Sequence, residues 1–297
     1  MRKVTLTASD GYKLDVNVYE VNEPKGYVQI AHGMEEHQER YKPFALELNK
    51  AGYTVITANM RGHGESAPTL GYFADKDGWK LLIEDERIIT KWIKEEYKTS
   101  EVILFAHSMG TIITRNLMME DSTEYKKVIL SGYPNPQPAA GLGIVLAGIH
   151  KKLNGTKKFS KMLQDIAVGH FNKSVKKPKT AFDWLSFNEE NVKNYMADPY
   201  CGHGFKSSAL QDLFVLVKRM GDFKNYKDVN ADLPILLLRG DSDPCTGLDK
   251  GSKTSIDILK NAGFKDIKDI KYDHMRHEIL NEVGKEKVYQ DIVEFIA

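Results

Sequence analysis

The sequence contains few of the residues that mark secreted, fibrous or membrane-spanning proteins. Among 297 residues there are only two cysteines, Cys201 and Cys245, too few for the disulfide framework of a small secreted domain. The 23 glycines and 10 prolines are too few for a fibrous or low-complexity chain. The longest nearly apolar stretch, residues 141–149, is much shorter than a bilayer span, and the N-terminal residues lack the apolar core of a signal peptide. We therefore expect a soluble, cytoplasmic protein with reduced thiols.

The sequence also lacks an excess of charge of either sign. Lysine and arginine total 42 and aspartate and glutamate total 41, so the formal net charge is +1. Such a balance predicts no affinity for nucleic acid. The average conceals a basic segment, because residues 150–180 contain nine lysines and a single acidic residue, Asp165. This segment predicts either a solvated helix face or transient contact with an anionic membrane surface.

Strand and helix patterns alternate along most of the chain. Residues 4–21 have the alternation and the Asp10-Gly11 turn of a β-hairpin. Further strand patterns cover residues 27–31, 53–58, 102–106, 128–130, 234–238 and 267–272. Helical patterns cover residues 43–50, 78–97, 109–120, 250–262 and 285–296. This order predicts an α/β fold with a mostly parallel sheet flanked by helices.

One long segment breaks the alternation. Residues 133–225 contain helical stretches and no convincing strand. We therefore predict a core formed by residues 1–132 and 226–297, with residues 133–225 inserted as a helical cap. The apolar stretches 142–149 and 210–217 within it either line a substrate pocket or pack the cap on the core.

The strongest functional signal is the segment FAHSMG at residues 105–110, between a buried-type strand and a helix start. A nucleophilic serine needs a sharp turn that lifts it clear of the sheet, with small residues on both sides so that neighbouring backbone can approach. Ala106 and Gly110 are those small residues around Ser108. The pattern predicts that Ser108 is a nucleophile and that the N–H of Met109 is one donor of an oxyanion hole.

A serine hydroxyl needs a base to remove its proton, usually a histidine that a carboxylate orients. On this kind of turn, the acid and then the base follow the serine along the chain, each in a loop after a strand. The two loops that fit this order offer two candidates each, Asp241 and Asp243 after residues 234–238, and His274 and His277 after residues 267–272.

Within each loop we favour the later residue. Asp243 lies further from its strand and precedes Pro244, whereas Asp241 has the position of an ordinary turn residue. His277 leads into the apolar C-terminal segment and is our predicted general base, with His274 as the alternative. No third ligand set accompanies this histidine pair, so we predict no metal.

The second oxyanion donor should follow the strand at residues 27–31. Gly33 allows tight backbone geometry in that loop, and the N–H of Met34 is the predicted donor. His32 precedes the serine in the chain, so we interpret it as a buried structural residue.

At these positions the chain resembles the α/β-hydrolase superfamily, and most of all its monoacylglycerol lipase and lysophospholipase-like branch. The matching segments are residues 32–34, 36–37, 40–41, 61–66, 107–110, 183–186, 198–199 and 276–282. The resemblance implies an α/β-hydrolase fold, a triad of Ser108, Asp243 and His277, oxyanion donors at Met34 and Met109, and a helical cap over the site. Asn59, Ala106 and Thr111 depart from the usual pattern of the branch, which affects the substrate expected more than the reaction type.

These features predict a serine hydrolase that cleaves carboxylic esters of monoacylglycerols, lysophospholipids or similar single-chain lipids, without a cofactor. The alternatives are a general short-chain carboxylesterase, or an aminopeptidase-like enzyme that holds a substrate amine through acids such as Glu189 or Glu190. A non-catalytic binding protein of the same fold fits less well, because all three triad residues are present.

Overall fold

A computed structural model describes residues 1–297. The eight strands are β1 (Arg2–Thr7), β2 (Lys13–Tyr19), β3 (Gly26–Ala31), β4 (Tyr53–Ala58), β5 (Val102–His107), β6 (Lys127–Ser131), β7 (Ile235–Gly240) and β8 (Ile267–Tyr272). The nine helices are α1 (Lys42–Lys50), α2 (Gly78–Tyr97), α3 (Met109–Asp121), α4 (Ala140–Asn154), α5 (Lys161–Gln164), α6 (Glu189–Ala197), α7 (Ser207–Met220), α8 (Leu248–Asn261) and α9 (Lys285–Ile296). None of the nine helices combines the length and the apolar character that a bilayer-spanning segment needs.

All eight strands form one sheet in the order β1-β2-β4-β3-β5-β6-β7-β8. The hairpin β1–β2 and the β2–β4 pair are antiparallel, and every other neighbouring pair is parallel. All six residues of β5 are buried, as expected for a central strand that is covered on both faces. The prediction of a mostly parallel sheet flanked by helices is confirmed.

Helices cover both faces of the sheet. On one face, Phe44 of α1 and Ile292 of α9 pack in one hydrophobic cluster with β5 residue Phe105. On the other face, residues of α2, α3 and α8 pack in a larger cluster with Leu104 of the same strand. The alternation of strand side chains between the two faces explains why one strand contributes to both clusters.

Helices α4 to α7 lie between β6 and β7, and no strand occurs in this part of the chain. Helix α7 packs against α2 and α3, and its residues Leu213 and Leu216 belong to the same hydrophobic cluster as the sheet. The helical nature of this segment agrees with the sequence pattern, whereas its division from the core as a separate cap stays a prediction.

The sheet topology fixes where a site can form. After β3 the chain adds β4 on one side, and it then returns to add β5 on the other side of β3. A parallel sheet opens a crevice at such a reversal, beyond the carboxyl ends of the strands. The loops after β3, β5, β7 and β8 all leave from this edge of the sheet.

Candidate active site

Ser108 occupies a sharp turn between β5 and α3. Its backbone has φ 50° and ψ −117°, a strained conformation for a residue with a side chain, at a cost of about 1–3 kcal/mol. The turn depends on Gly110, because a Cβ there would collide with the backbone carbonyl oxygens of Ala31 and His32. Glycine at this position thus allows the start of α3 to approach the end of β3.

Three predicted residues form one chain of hydrogen bonds. The Nε2 atom of His277 lies 2.8 Å from the Oγ atom of Ser108, and the Nδ1 atom of His277 lies 3.0 Å from a carboxylate oxygen of Asp243. The other carboxylate oxygen of Asp243 accepts the N–H of Cys245 at 2.8 Å. Asp243 and His277 are fully buried, whereas Ser108 is partly exposed. The imidazole therefore reaches the serine from a position that the carboxylate fixes.

The carboxylate of Asp243 also affects how readily the imidazole of His277 binds a proton. Burial alone would lower the pKa of His277, but the charge and hydrogen bond of Asp243 outweigh burial and raise this pKa above 6.5. A base whose pKa lies near the working pH can both accept and return a proton during catalysis. The rings of His107 and Trp184 flank the imidazole, with centroids 4.7 and 4.9 Å from its own.

The alternative residues of the two loops lie outside this chain. His274 is exposed and stacks on Phe187 with ring centroids 4.2 Å apart. Burial alone would raise the pKa of Asp241, but the nearby backbone N–H of His274 and the side chain of Ser242 outweigh burial and lower this pKa. Neither residue hydrogen-bonds to Ser108 or His277. The geometry thus brings together the later residue of each loop.

The loop after β3 reaches the serine from the other side. A Cβ at Gly33 would lie 3.1 Å from the Cβ atom of Ser108, so glycine lets this loop lie directly against Ser108. The N–H of Met34 has no acceptor within the protein, and the N–H of Met109 lies in the first turn of α3, where helical N–H groups are free. His32 is buried, and its ring accepts the N–H of Met60, which fits the structural interpretation.

A buried ion network joins the loop after β3 to the loop after β8. Glu36 accepts hydrogen bonds from the N–H of Gly33 and the hydroxyl of Tyr41 at 2.6 and 2.7 Å. Arg40 donates to Glu36 at 2.6 Å and to both carboxylate oxygens of Glu278 at 2.8 and 2.7 Å. Since Glu278 follows His277, one arginine connects both sides of the site.

Sequence reasoning assigned no role to this network. Glu36 and Arg40 stood out only as members of the family-like pairs 36–37 and 40–41. The one signal in the sequence is their spacing, because an acid and an arginine four residues apart can form an ion pair, as residues 36 and 40 do. Glu278 lies 238 residues from Arg40, so no local pattern could have revealed the third member.

A cavity of about 360 Å³ opens beside Ser108 and His277. Its apolar lining includes Leu213, Phe214 and Val217 of α7, which confirms a pocket role for residues 210–217. For residues 142–149 the packing alternative fits instead, because none of them lines the cavity and Ile144 and Leu146 pack against the core cluster. The other large side chains of the stretch face solvent. Leu142, Val145 and Ile149 are 61%, 56% and 52% exposed.

One group of side chains has the composition of a metal site. Potential ligand atoms of His37, Asp198 and Cys201 lie within 4.8 Å of one another. The Nε2 atom of His37 is hydrogen-bonded to Asp198 at 2.8 Å, and burial raises the pKa of the Cys201 thiol. The His37–Asp198 hydrogen bond thus already engages two of the three candidate ligand groups.

Comparisons with known proteins place the chain among characterised hydrolases. The model of the family described as "Serine aminopeptidase, S33" matches residues 22–284. A monoacylglycerol lipase of Mycolicibacterium smegmatis is 26% identical over 284 residues, which cover 94% of this chain and 92% of that protein. A monoglyceride lipase of Rattus norvegicus is 27% identical over 74% of this chain and 66% of the relative.

Solved structures share the fold. A thermostable carboxyl esterase from Bacillus coagulans, in complex with glycerol, superimposes with a TM-score of 0.92 at 24% identity, over 99% of this chain and 97% of that one. A monoacylglycerol lipase from Paleococcus ferrophilus superimposes with a TM-score of 0.71 at 22% identity, over 96% of this chain and 98% of that one.

Proposed function

The chain belongs to the serine aminopeptidase S33 family of α/β-hydrolases, and from this premise we propose that it is a serine hydrolase of carboxylic esters, with monoacylglycerols or similar single-chain lipids as substrates. The family match and the fold comparisons confirm the α/β-hydrolase resemblance read from the motifs. One observation carries the proposal: the hydrogen-bonded chain Ser108–His277–Asp243 borders an apolar cavity. The lipase relatives support the choice of monoacylglycerols.

The proposed reaction runs through an acyl-enzyme. The Oγ atom of Ser108 attacks the ester carbonyl carbon while Nε2 of His277 takes the hydroxyl proton, and Asp243 stabilises the imidazolium. The N–H groups of Met34 and Met109 donate to the oxyanion. Collapse of the intermediate breaks the ester C–O bond, and His277 returns its proton to the leaving alcohol. His277 then deprotonates a water molecule that hydrolyses the acyl-enzyme, so the free acid is released and Ser108 is restored.

The experiment is active-site labelling combined with an ester panel. We expect a fluorophosphonate probe to label the wild-type protein and not Ser108→Ala, and this variant should also lose hydrolysis of p-nitrophenyl and monoacylglycerol esters. Ser66→Ala replaces an exposed serine and serves as the matched control. Ester hydrolysis by Ser108→Ala at the wild-type rate would contradict the proposal. Turnover of aminoacyl-naphthylamides in preference to esters would instead indicate a peptidase, although Glu189 and Glu190 are both exposed.

We also propose that residues 133–225 act as a helical cap over the site, inserted between core segments 1–132 and 226–297. Two observations support this arrangement. Phe182 and Trp184 line the cavity together with residues of α7, and the carbonyl of Leu185 accepts the N–H of Glu278 at 2.8 Å, beside the catalytic histidine. Movement of this segment would therefore alter access to Ser108.

The cap also has a surface suited to transient contact with a membrane. An apolar stripe on α4 is exposed, formed by Leu142, Val145, Ile149 and Leu153. The lysines of the basic segment begin on the last turn of the same helix, at Lys151 and Lys152. Apolar side chains beside lysines match the boundary between acyl chains and anionic head groups. We propose that this surface brings the enzyme to its lipid substrate.

Vesicle cosedimentation tests the membrane proposal. We expect binding to vesicles that contain phosphatidylserine, weaker binding to phosphatidylcholine vesicles, and loss of binding in Val145→Glu/Leu153→Glu. Leu46→Glu changes an exposed leucine on α1 and should bind as the wild type does. Equal binding to both vesicle types, or no effect of the α4 changes, would contradict the proposed surface.

A further inference from the structure

Glu35 lines the largely apolar cavity, whose lining also includes the acidic residues Glu36, Asp165 and Glu278. It is only 5% exposed and has a φ of 56°, so it combines burial of a carboxylate with a backbone conformation that favours glycine. No lysine, arginine or histidine lies near enough to act as its counter-ion. Instead the amide of Gln164 donates to its Oε1 atom at 2.5 Å. Burial raises the pKa of Glu35, and this hydrogen bond only partly offsets burial.

Several hydrogen bonds hold Glu35 in place. Its carbonyl accepts the hydroxyl of Tyr195 at 2.9 Å and the N–H of Gly202 at 3.0 Å, and its N–H donates to His63 at 3.3 Å. Gln164 is fixed as well, because its Oε1 atom accepts the N–H of Phe205 at 3.3 Å. Both side chains line the cavity. The fold therefore presents a preorganised carboxylate and amide at one side of the pocket.

The position of Glu35 relates it to the leaving group of an ester. Consecutive Cα atoms are about 3.8 Å apart, so Glu35 begins next to Met34, whose N–H faces the oxyanion in the proposed reaction. The hydroxyl oxygens of a glycerol ester lie only three or four bonds from the ester oxygen. A carboxylate accepts hydrogen bonds and donates none, so hydroxyl groups are suitable partners for it.

We propose that Glu35 and Gln164 form a head-group subsite that binds the free hydroxyls of a glycerol or similar polyol leaving group. The inference rests on the proposed ester hydrolase function. It assigns a binding site to the polar head group of the substrate, which the apolar lining cannot recognise. A buried polar subsite discriminates strongly, because a substrate without the matching hydroxyls leaves the protein groups unpaired. The wild-type enzyme should therefore prefer a monoacylglycerol to the methyl ester of the same fatty acid.

The test compares kcat/KM for a 1-monoacylglycerol with that for the methyl ester of the same acyl chain. We expect Glu35→Gly to lower the ratio of these two values at least about tenfold, equivalent to about 1.4 kcal/mol. Glycine suits the positive φ, so this variant should remain folded, as a thermal melt will show. Glu35→Gln should lower the ratio less, because its amide oxygen still accepts a hydrogen bond. Glu190→Gln, on the exposed face of α6, is the control and should keep the wild-type ratio.

An unchanged ratio in Glu35→Gly would overturn the subsite. Cleavage of aminoacyl esters that depends on Glu35 would also overturn it, because an ammonium would then be the preferred ligand. These outcomes are separate from failure of the proposed function, since hydrolysis of the methyl ester by the wild type and its loss in Ser108→Ala are measured in the same series.

Discussion

Replacing Arg40 by methionine should destabilise the protein strongly, because this arginine neutralises two buried carboxylates. Glu36 and Glu278 both lie within hydrogen-bond distance of its guanidinium, and their side chains are each 4% exposed. Burial alone would raise the pKa of Glu278, yet Arg40 holds that pKa at about 2 instead of 4.5. A difference of this size corresponds to about 3 kcal/mol. Removing one partner of a buried ion pair lowers the free energy of unfolding by about 3–5 kcal/mol, which agrees with this value.

Urea unfolding of Arg40→Met at pH 8 should therefore show a free energy of unfolding about 3–5 kcal/mol below that of the wild type. Arg40→Lys keeps the charge and loses the two-pronged geometry, so it should fall between them. Arg87→Met is the matched control. Like Arg40, Arg87 contacts acidic side chains, in its case Glu84, Glu120 and Asp121. It lies at the surface, however, where such pairs contribute at most about 1 kcal/mol.

The pH dependence separates charge pairing from simple packing. The depressed pKa of Glu278 means that its stabilising contribution is complete above pH 4.5 and disappears as the pH falls towards about 2. Without Arg40, burial should raise the pKa of both carboxylates above 4.5, so the variant loses stability as the pH rises. The deficit relative to the wild type should thus be smaller at pH 5 than at pH 8. An equal deficit at both values, or no deficit at all, would refute the reasoning.

Three further predictions concern the site. Asp243 raises the pKa of His277, and the base must be neutral to accept a proton. The value of kcat/KM for p-nitrophenyl butyrate should therefore increase with pH through an apparent pKa above 6.5. A midpoint of this pH profile below 6 would contradict the prediction. Asp243→Asn should lower kcat by about 10⁴-fold and also shift that midpoint downward, whereas Asp241→Asn should do neither. Gly110→Ala should lower the free energy of unfolding in urea by at least about 1–3 kcal/mol, because the new methyl group would collide with backbone oxygens of Ala31 and His32. Gly141→Ala in α4 is the control. A Cβ there meets nothing within 4 Å, so this change should leave the stability unchanged or increase it.

The core of the site was predictable because its signals are local. The serine, its small neighbours and the strand before it occupy one short segment, 105–110, and the conformation of that turn restricts which residues fit. The acid and base were narrowed to two candidates each by chain order and by their positions after strands. Position within each loop favoured Asp243 and His277, but only the folded loops show that His277 is buried and His274 exposed, since the two residues are of the same type.

The apolar stretches show where pattern alone fails. Residues 142–149 and 210–217 look alike as sequence, but α7 lines the cavity, whereas residues 142–149 of α4 do not, and three of their large side chains face solvent. The difference depends on what packs against each helix. Periodicity reports that a helix has an apolar face and does not report which surface covers it.

The sequence by itself determined the order of strands and helices and was enough to predict Ser108 as the nucleophile and the reaction class, because hydrophobic periodicity and turn chemistry act over a few residues. Only the tertiary structure decided which acid and which histidine meet Ser108, that Arg40 joins two loops 238 residues apart, and that Glu35 lines the cavity. These contacts arise when parallel strands bring their carboxyl ends to one edge of a sheet. That assembly is a property of the whole chain and is not encoded in any short segment of it.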